Sequence, residues 1–252
     1  MLNLTTDSFS DGGQYTDIDR ALQHAGEMII EGAAYIDVGA EATNPRAAPL
    51  ENAEAEWERL RPVLGELFMR YPGKISVDSY RPETIRRVAE RFGPNFIAND
   101  VTGMNSPIMR KTVAEFGLRC IVSHMPARFG ADFVRAHHEA DVDDPQAVAL
   151  GLLTRRSQLV QLGLPAGKII LDPGIGFGKR PDCNRRLLSF ARLVPEHEVM
   201  IGYSRKRFLG DARMTIGPNL EAARVAIASG ARYLRVHDVA EHYQLLQELG
   251  VQ

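Results

Sequence analysis

The sequence predicts an α/β protein built as a single TIM (β/α)8 barrel domain over residues 1–252. Three observations lead there. Short runs rich in Ile and Val alternate with longer stretches whose apolar residues recur at helical spacing, the pattern of repeated βα units rather than of a sandwich or a bundle. A chain of 252 residues has the length of eight such units. Finally, Asp78, Asn99 with Asp100, His124, Asp172, Ser204 and His237 with Asp238 all stand where an apolar run gives way to a loop. Unpaired in a core, each would cost several kcal/mol, whereas closing the sheet gathers strand ends in one ring at the barrel mouth. A doubly wound open sheet is the alternative architecture.

Taken in order, residues 1–4 read as the first strand. Ile18, Ala21, Leu22, Ala25 and Ile29 then recur at helical spacing behind a cap at Thr16, and Gly32 ends that helix. YIDVG (Tyr35–Gly39) is the second strand. A helix carrying Trp57, Leu60, Leu64, Leu67 and Phe68 follows, with Pro62 expected to bend it. KISVD (Lys74–Asp78), NFIAND (Asn95–Asp100), RCIVSH (Arg119–His124), KIILD (Lys168–Asp172), VMIGYS (Val199–Ser204) and YLRVHD (Tyr233–Asp238) complete the set of strands. Helices are expected around 81–92, 106–116 and 145–162, in gaps long enough for parallel crossovers. Long mobile loops are expected after strands 1, 2 and 5, the last over 126–145. The first of them is TTDSFSDGG, which Gly12 and Gly13 make flexible.

Composition narrows the function. Lys plus Arg number 30 against 32 Asp plus Glu, so no overall basic charge exists to hold nucleic acid or an anionic membrane. Cys120 and Cys183 match no zinc or redox spacing, and a structural disulfide is not expected. With no apolar run of membrane-spanning length and no signal-peptide pattern, the expectation is a soluble cytoplasmic protein acting on small molecules.

Three groups of residues carry chemistry. LDPGIGFGKR (Leu171–Arg180) sets glycines at alternate positions behind a strand but fits neither phosphate template. A P-loop needs Gly at Pro173 and Ser or Thr at Arg180, and the dinucleotide fingerprint needs Gly or Ala at Lys179. The glycines are read as letting backbone approach a flat ligand, with a plain chain-reversing turn as the alternative. GYSRKRF (Gly202–Phe208) and RVHD (Arg235–Asp238) put cations behind the last two strands, the usual phosphate position of a TIM barrel. Asp78, Asn99 and Asp172 supply carboxylates and an amide, with no His or Glu at the spacing of a dedicated metal cage. A carboxylate can accept the N–H and NH2 edge of a heterocycle bidentately.

These motifs, NLTTDSFSDGG, ATNP, SVDS, AND, SHM, LDPGIGFGK, SRK and RVHDV in that order, resemble the dihydropteroate synthases of the pterin-binding family over nearly the whole chain. The resemblance implies a TIM barrel that joins 4-aminobenzoate to 6-hydroxymethyl-7,8-dihydropterin pyrophosphate, releasing pyrophosphate. It also implies roles. Asp78, Asn99 and Asp172 would hold the pterin edge, with Lys206 on its carbonyl side and Met125 and Phe177 near the rings; Lys206, Asp78 and Asp172 would be catalytic. Arg235, His237 and Thr43, with Asn3 acting through Mg2+, would bind the diphosphate. Thr43, Pro45, Phe177 and Ser204 would line the aminobenzoate pocket. A homodimer and sensitivity to sulfonamides are further implied.

The match is uneven in places. Where the family has Ser-Thr-Arg-Pro-Gly, this chain has Ala42, Thr43, Asn44, Pro45 and Arg46, so the usual arginine is missing and Arg46 is the expected substitute. Thr6 replaces a usual proline, which frees the first loop's backbone. The chain opens inside strand one, as a truncated or displaced start would leave it, and the segment between Ser204 and Arg235 is short. The alternatives are therefore a catalytically impaired or non-catalytic pterin-binding homologue and a methyltetrahydrofolate corrinoid methyltransferase. The cations of SRK and RVH argue against the methyltransferase.

Overall fold

Alternating strand and helix segments give β1 (Leu2–Asn3), α1 (Gln14–Ile30), β2 (Ile36–Gly39), α2 (Ala53–Arg70), β3 (Ile75–Asp78), α3 (Pro82–Phe92), β4 (Ile97–Asp100) and α4 (Pro107–Glu115) in the first half. The second half gives β5 (Arg119–Ser123), α5 (Pro145–Gln161), β6 (Ile169–Asp172), α6 (Pro181–Arg186), β7 (Glu198–Ile201), α7 (Ile216–Ala228), β8 (Tyr233–Leu234) and α8 (Val239–Glu248). The computed structural model describes residues 1–4, 14–41, 50–126 and 142–251. Most of the loops expected to be mobile lie outside those residues. Eight strands form one sheet in sequence order, every neighbouring pair parallel. The Met1 ammonium donates to the Val236 carbonyl at 3.3 Å and so joins the last edge to the first. This is the TIM-barrel order.

Local sequence explains the helices. Pro82, Pro107, Pro145 and Pro181 stand at helix starts, where a missing N–H costs nothing, and Asn52, Ser106 and Asp144 accept backbone N–H bonds as caps. Helix α1 begins at Gln14, so the expected cap Thr16 lies inside it. Pro62 does not interrupt α2, because Leu60, Leu64 and Leu67 on that helix are fully buried, each burial contributing about 2 kcal/mol. No described helix is long and apolar enough to cross a membrane.

Strand alternation sorts the interior into layers. Outward residues such as Val38, Val77, Ala98, Val122 and Leu171 join the large core under the helices. Inward Ile97, Ile121, Ile170 and Met200 make a separate apolar layer, with Tyr35 and Tyr233 packed against it. At the N-terminal end of the strands Arg119 bonds the hydroxyls of Tyr35 and Tyr233 and pairs with Glu198. At the opposite end the inward positions are polar, and the candidate site forms there.

Candidate functional site

Asp78 ends β3, Asn99 lies in β4, Ser123 ends β5 and Asp172 ends β6, and the register sets Asp78 beside Asn99 and Ser123 beside Asp172. With Val101, Phe177, Gly202, Lys206 and Arg235 they line one small pocket of about 20 Å³. That is room for about one water molecule. Six of the residues singled out by motif, Asp78, Asn99, Asp172, Phe177, Lys206 and Arg235, thus meet in one place. A larger cavity of about 420 Å³, lined mainly by apolar side chains, lies at the other end of the barrel and shares Arg235 with the pocket. It holds none of the other five.

The pocket floor is ionic. Arg235 donates through Nε to Asp37 at 2.7 Å and through its NH2 group to Asp78 at 2.5 Å. Asp37 also accepts from the Ser76 hydroxyl at 2.6 Å and from the Asn99 amide at 3.2 Å to each oxygen. One guanidinium is therefore shared by two carboxylates. Burial, aided by Asp37, Glu56 and Asp100 and opposed by Arg235, pushes the Asp78 carboxyl up to about 7. Asp37 moves the other way: burial works against its charge, but Arg235 and Ser76 hold it below the usual carboxylate range. Asp37, which the motifs did not single out, lines the larger cavity and supports the pocket from behind through Arg235 and Asn99. The signal was present, because a carboxylate in the middle of an apolar strand needs a partner.

On the other wall Asp172 accepts from the Gly174 N–H at 2.8 Å and the Ser123 hydroxyl at 3.3 Å. Lys206 donates to the Ile175 carbonyl at 2.5 Å and lies 4.9 Å over the Phe177 ring. Burial and Arg235 lower its ammonium to about 8, against the pull of Asp172. The first glycine of LDPGIGFGK is required by the protein's own backbone. Gly174, at φ +63°, has the His124 carbonyl 2.2 Å from where a Cβ would stand. Lys179, 8% exposed, ties this loop down by donating to the carbonyls of His124, Gly174 and Phe177 at 3.1, 2.9 and 2.8 Å. Lys179→Met would strand those acceptors. It is expected to cost about 3 kcal/mol in urea unfolding and to weaken ligand binding at the pocket beside it.

The other expected members of the ring lie outside this small pocket. Asp100 is fully buried and accepts from the Thr102 N–H and hydroxyl and the Met104 N–H, fixing the turn after β4 instead of facing the mouth. The His124 ring packs against Gly151 of α5, and burial with Lys179 lowers it to about 3. Met125 is half-buried and does not line the pocket. Ser204, assigned to aminobenzoate, has its hydroxyl 2.9 Å from Nδ1 of His237, while Asp238 pairs with Arg205. Burial, Arg205 and Arg235 lower His237 to about 4, which leaves its ring neutral at pH 7. Asn3 is exposed at the end of β1. Thr43, Asn44, Pro45, Arg46 and Thr6 lie outside the described residues.

Among the described residues no group of three or more His, Cys, Asp or Glu could hold a metal ion. Asn3 offers one amide oxygen, which fits a magnesium ion that arrives with a diphosphate and takes its remaining ligands from phosphate and water.

A model of the family described as pterin binding enzyme matches residues 1–237. The chain belongs to that family. This pterin-binding enzyme is 38% identical, over 95% of its length, to the folate synthesis bifunctional protein of Chlamydia trachomatis, and spans 55% of that longer protein. It is 35% identical to the dihydropteroate synthase of Escherichia coli, with 98% of this chain and 88% of that one covered. Among solved structures, the dihydropteroate synthase of Xanthomonas albilineans in complex with 7,8-dihydropteroate matches with a TM-score of 0.81 at 31% identity, covering 99% of this chain and 90% of that one.

Proposed function

We propose that this chain is a dihydropteroate synthase, a transferase that condenses 4-aminobenzoate with 6-hydroxymethyl-7,8-dihydropterin pyrophosphate in folate biosynthesis. The observation that carries the reading is the convergence of Asp78, Asn99 and Asp172 with Lys206 and Arg235 in one pocket. A flat heterocycle with an N–H edge suits the carboxylates, and a leaving anion suits the cations. The reading takes residues 1–252 as one barrel domain.

In the reaction the C–O bond at the pterin methylene breaks, and its electron pair leaves with the diphosphate. The aminobenzoate nitrogen then bonds the methylene carbon and gives up a proton. Asp78 and Asp172 stabilise the cationic pterin that forms in between, and Lys206 holds the ring's carbonyl side. The neutral His237 ring, steadied by Ser204, donates to the departing diphosphate beside Arg235. Asn3 would hold a magnesium ion, which when bound would supply charge neutralisation to that leaving group. Thr43 and Pro45, with Phe177 and Ser204, complete the aminobenzoate side, Thr43 also touching diphosphate. Met125 borders the rings, and Arg46 replaces the missing arginine. A homodimer, a cytoplasmic location and sulfonamide inhibition belong to the same reading.

The test is direct. Protein, both substrates and magnesium are mixed and pyrophosphate release is followed with and without 4-aminobenzoate. Release that depends on aminobenzoate is expected. Tight pterin binding without release would instead mark a non-catalytic homologue.

A further inference from the structure

We propose that Asp37 is a positioning residue that keeps Asn99 and Arg235 aligned while Asp78 exchanges Arg235 for the incoming heterocycle. The inference rests on the pterin reading of the mouth pocket. While Asp78 and Arg235 are bonded to each other the space beside them, about 20 Å³, holds about one water molecule and no bicyclic ring. The ion pair must therefore open when a ligand enters. Asp37 is built to survive that opening. Its Oδ2 meets two guanidinium nitrogens, the one shared with Asp78 at 2.6 Å and Nε at 2.7 Å, so the Nε bond remains when the Asp78 bond opens, and the Ser76 hydroxyl fixes the carboxylate from the neighbouring strand. Asn99 commits its NH2 group to both oxygens of Asp37, which leaves the amide carbonyl as the group that can accept a ligand N–H. A mobile Arg235 with no second anchor would lose its orientation at the moment the diphosphate needs it.

The charges that act most strongly on Asp78's protonation come from several elements, with Asp172 and Lys206 also lining its pocket. Asp37 faces it from β2, Glu56 from α2, Asp100 from β4 and Arg235 from the end of β8. Arg235 and the Met1 ammonium face Asp37. Replacing Asp37 by an isosteric amide removes a like charge and leaves Arg235 to Asp78 alone, so the Asp78 carboxyl becomes easier to ionise.

The experiment is the affinity for 6-hydroxymethylpterin, measured by calorimetry from about pH 5 to 9, on wild type, Asp37→Asn and Asp37→Glu. Wild-type affinity is expected to fall as pH drops through the titration of Asp78, near 7. In Asp37→Asn the inflection moves to lower pH, and affinity above it falls about ten-fold, because an amide has one acceptor oxygen where the carboxylate has two and cannot accept from Asn99, Arg235 and Ser76 together. Asp37→Glu keeps the charge and hence the wild-type inflection, while its affinity falls. A merely structural role would lower affinity without moving the inflection, and that result, or affinity equal to wild type, overturns the proposal. Should Asp37→Asn fail to fold, wild-type affinity in Asp37→Glu overturns it alone. A wild type that binds no pterin at any pH refutes the pterin reading instead.

Discussion

Asp172→Asn is expected to leave the protein folded and to lower pterin affinity by at least about 100-fold. The size follows from burial: Asp172 is 7% exposed at the end of β6, so a ligand donor left facing an NH2 group there has no water to turn to. The amide is preferred to Ala because the Asp172 carboxylate also accepts the Gly174 N–H, and Ala would strand that donor and loosen the loop carrying Phe177. With Asn the amide oxygen keeps the loop bond and only the ligand-facing chemistry changes. Calorimetric titration with pterin, beside a thermal melt, separates the two effects. Wild-type affinity in the variant would remove Asp172 from the site.

Lys206→Ala is expected to lower kcat by about 100-fold to 1000-fold, the usual effect of deleting one preorganised charge from a closed site. The ammonium lies over Phe177 and near Asp172, where burial makes it easier to deprotonate and lowers it to about 8. The sign follows from that direction. Below about 8 the cation is present, and turnover should decline as pH rises through that value. Lys206→Arg stays charged across the range and should lose this alkaline limb even where its maximal rate is lower. A change confined to the KM for aminobenzoate, with kcat untouched, would contradict the role on the pterin side.

The barrel was legible because its periodicity is local: apolar runs, helix spacing and prolines at helix starts each need only a few neighbouring residues. The mouth carboxylates were legible for the same reason, standing where strands end. What stayed hidden depends on pairs far apart in the chain. Asp37 reads as one polar residue inside YIDVG until Arg235, 198 positions away, is placed against it. Glu56 looks like an ordinary helix surface residue, yet it is 1% exposed and bound by Ser79, Thr84 and Arg81. Lys179 entered the sequence reading only as a mismatch to nucleotide motifs, and its three carbonyl partners explain its burial. Asp100 went the other way, since a polar residue at a strand end can equally close a turn.

The most direct test of the central claim is a crystal structure of the protein with 6-hydroxymethylpterin bound. The account predicts the ring in the mouth pocket, its N–H edge on Asp172 and Asn99, and Arg235 released from Asp78 but still held by Asp37. A ring seated in the apolar cavity at the opposite end of the barrel, or a mouth pocket left empty with the Asp78–Arg235 pair intact, would contradict it.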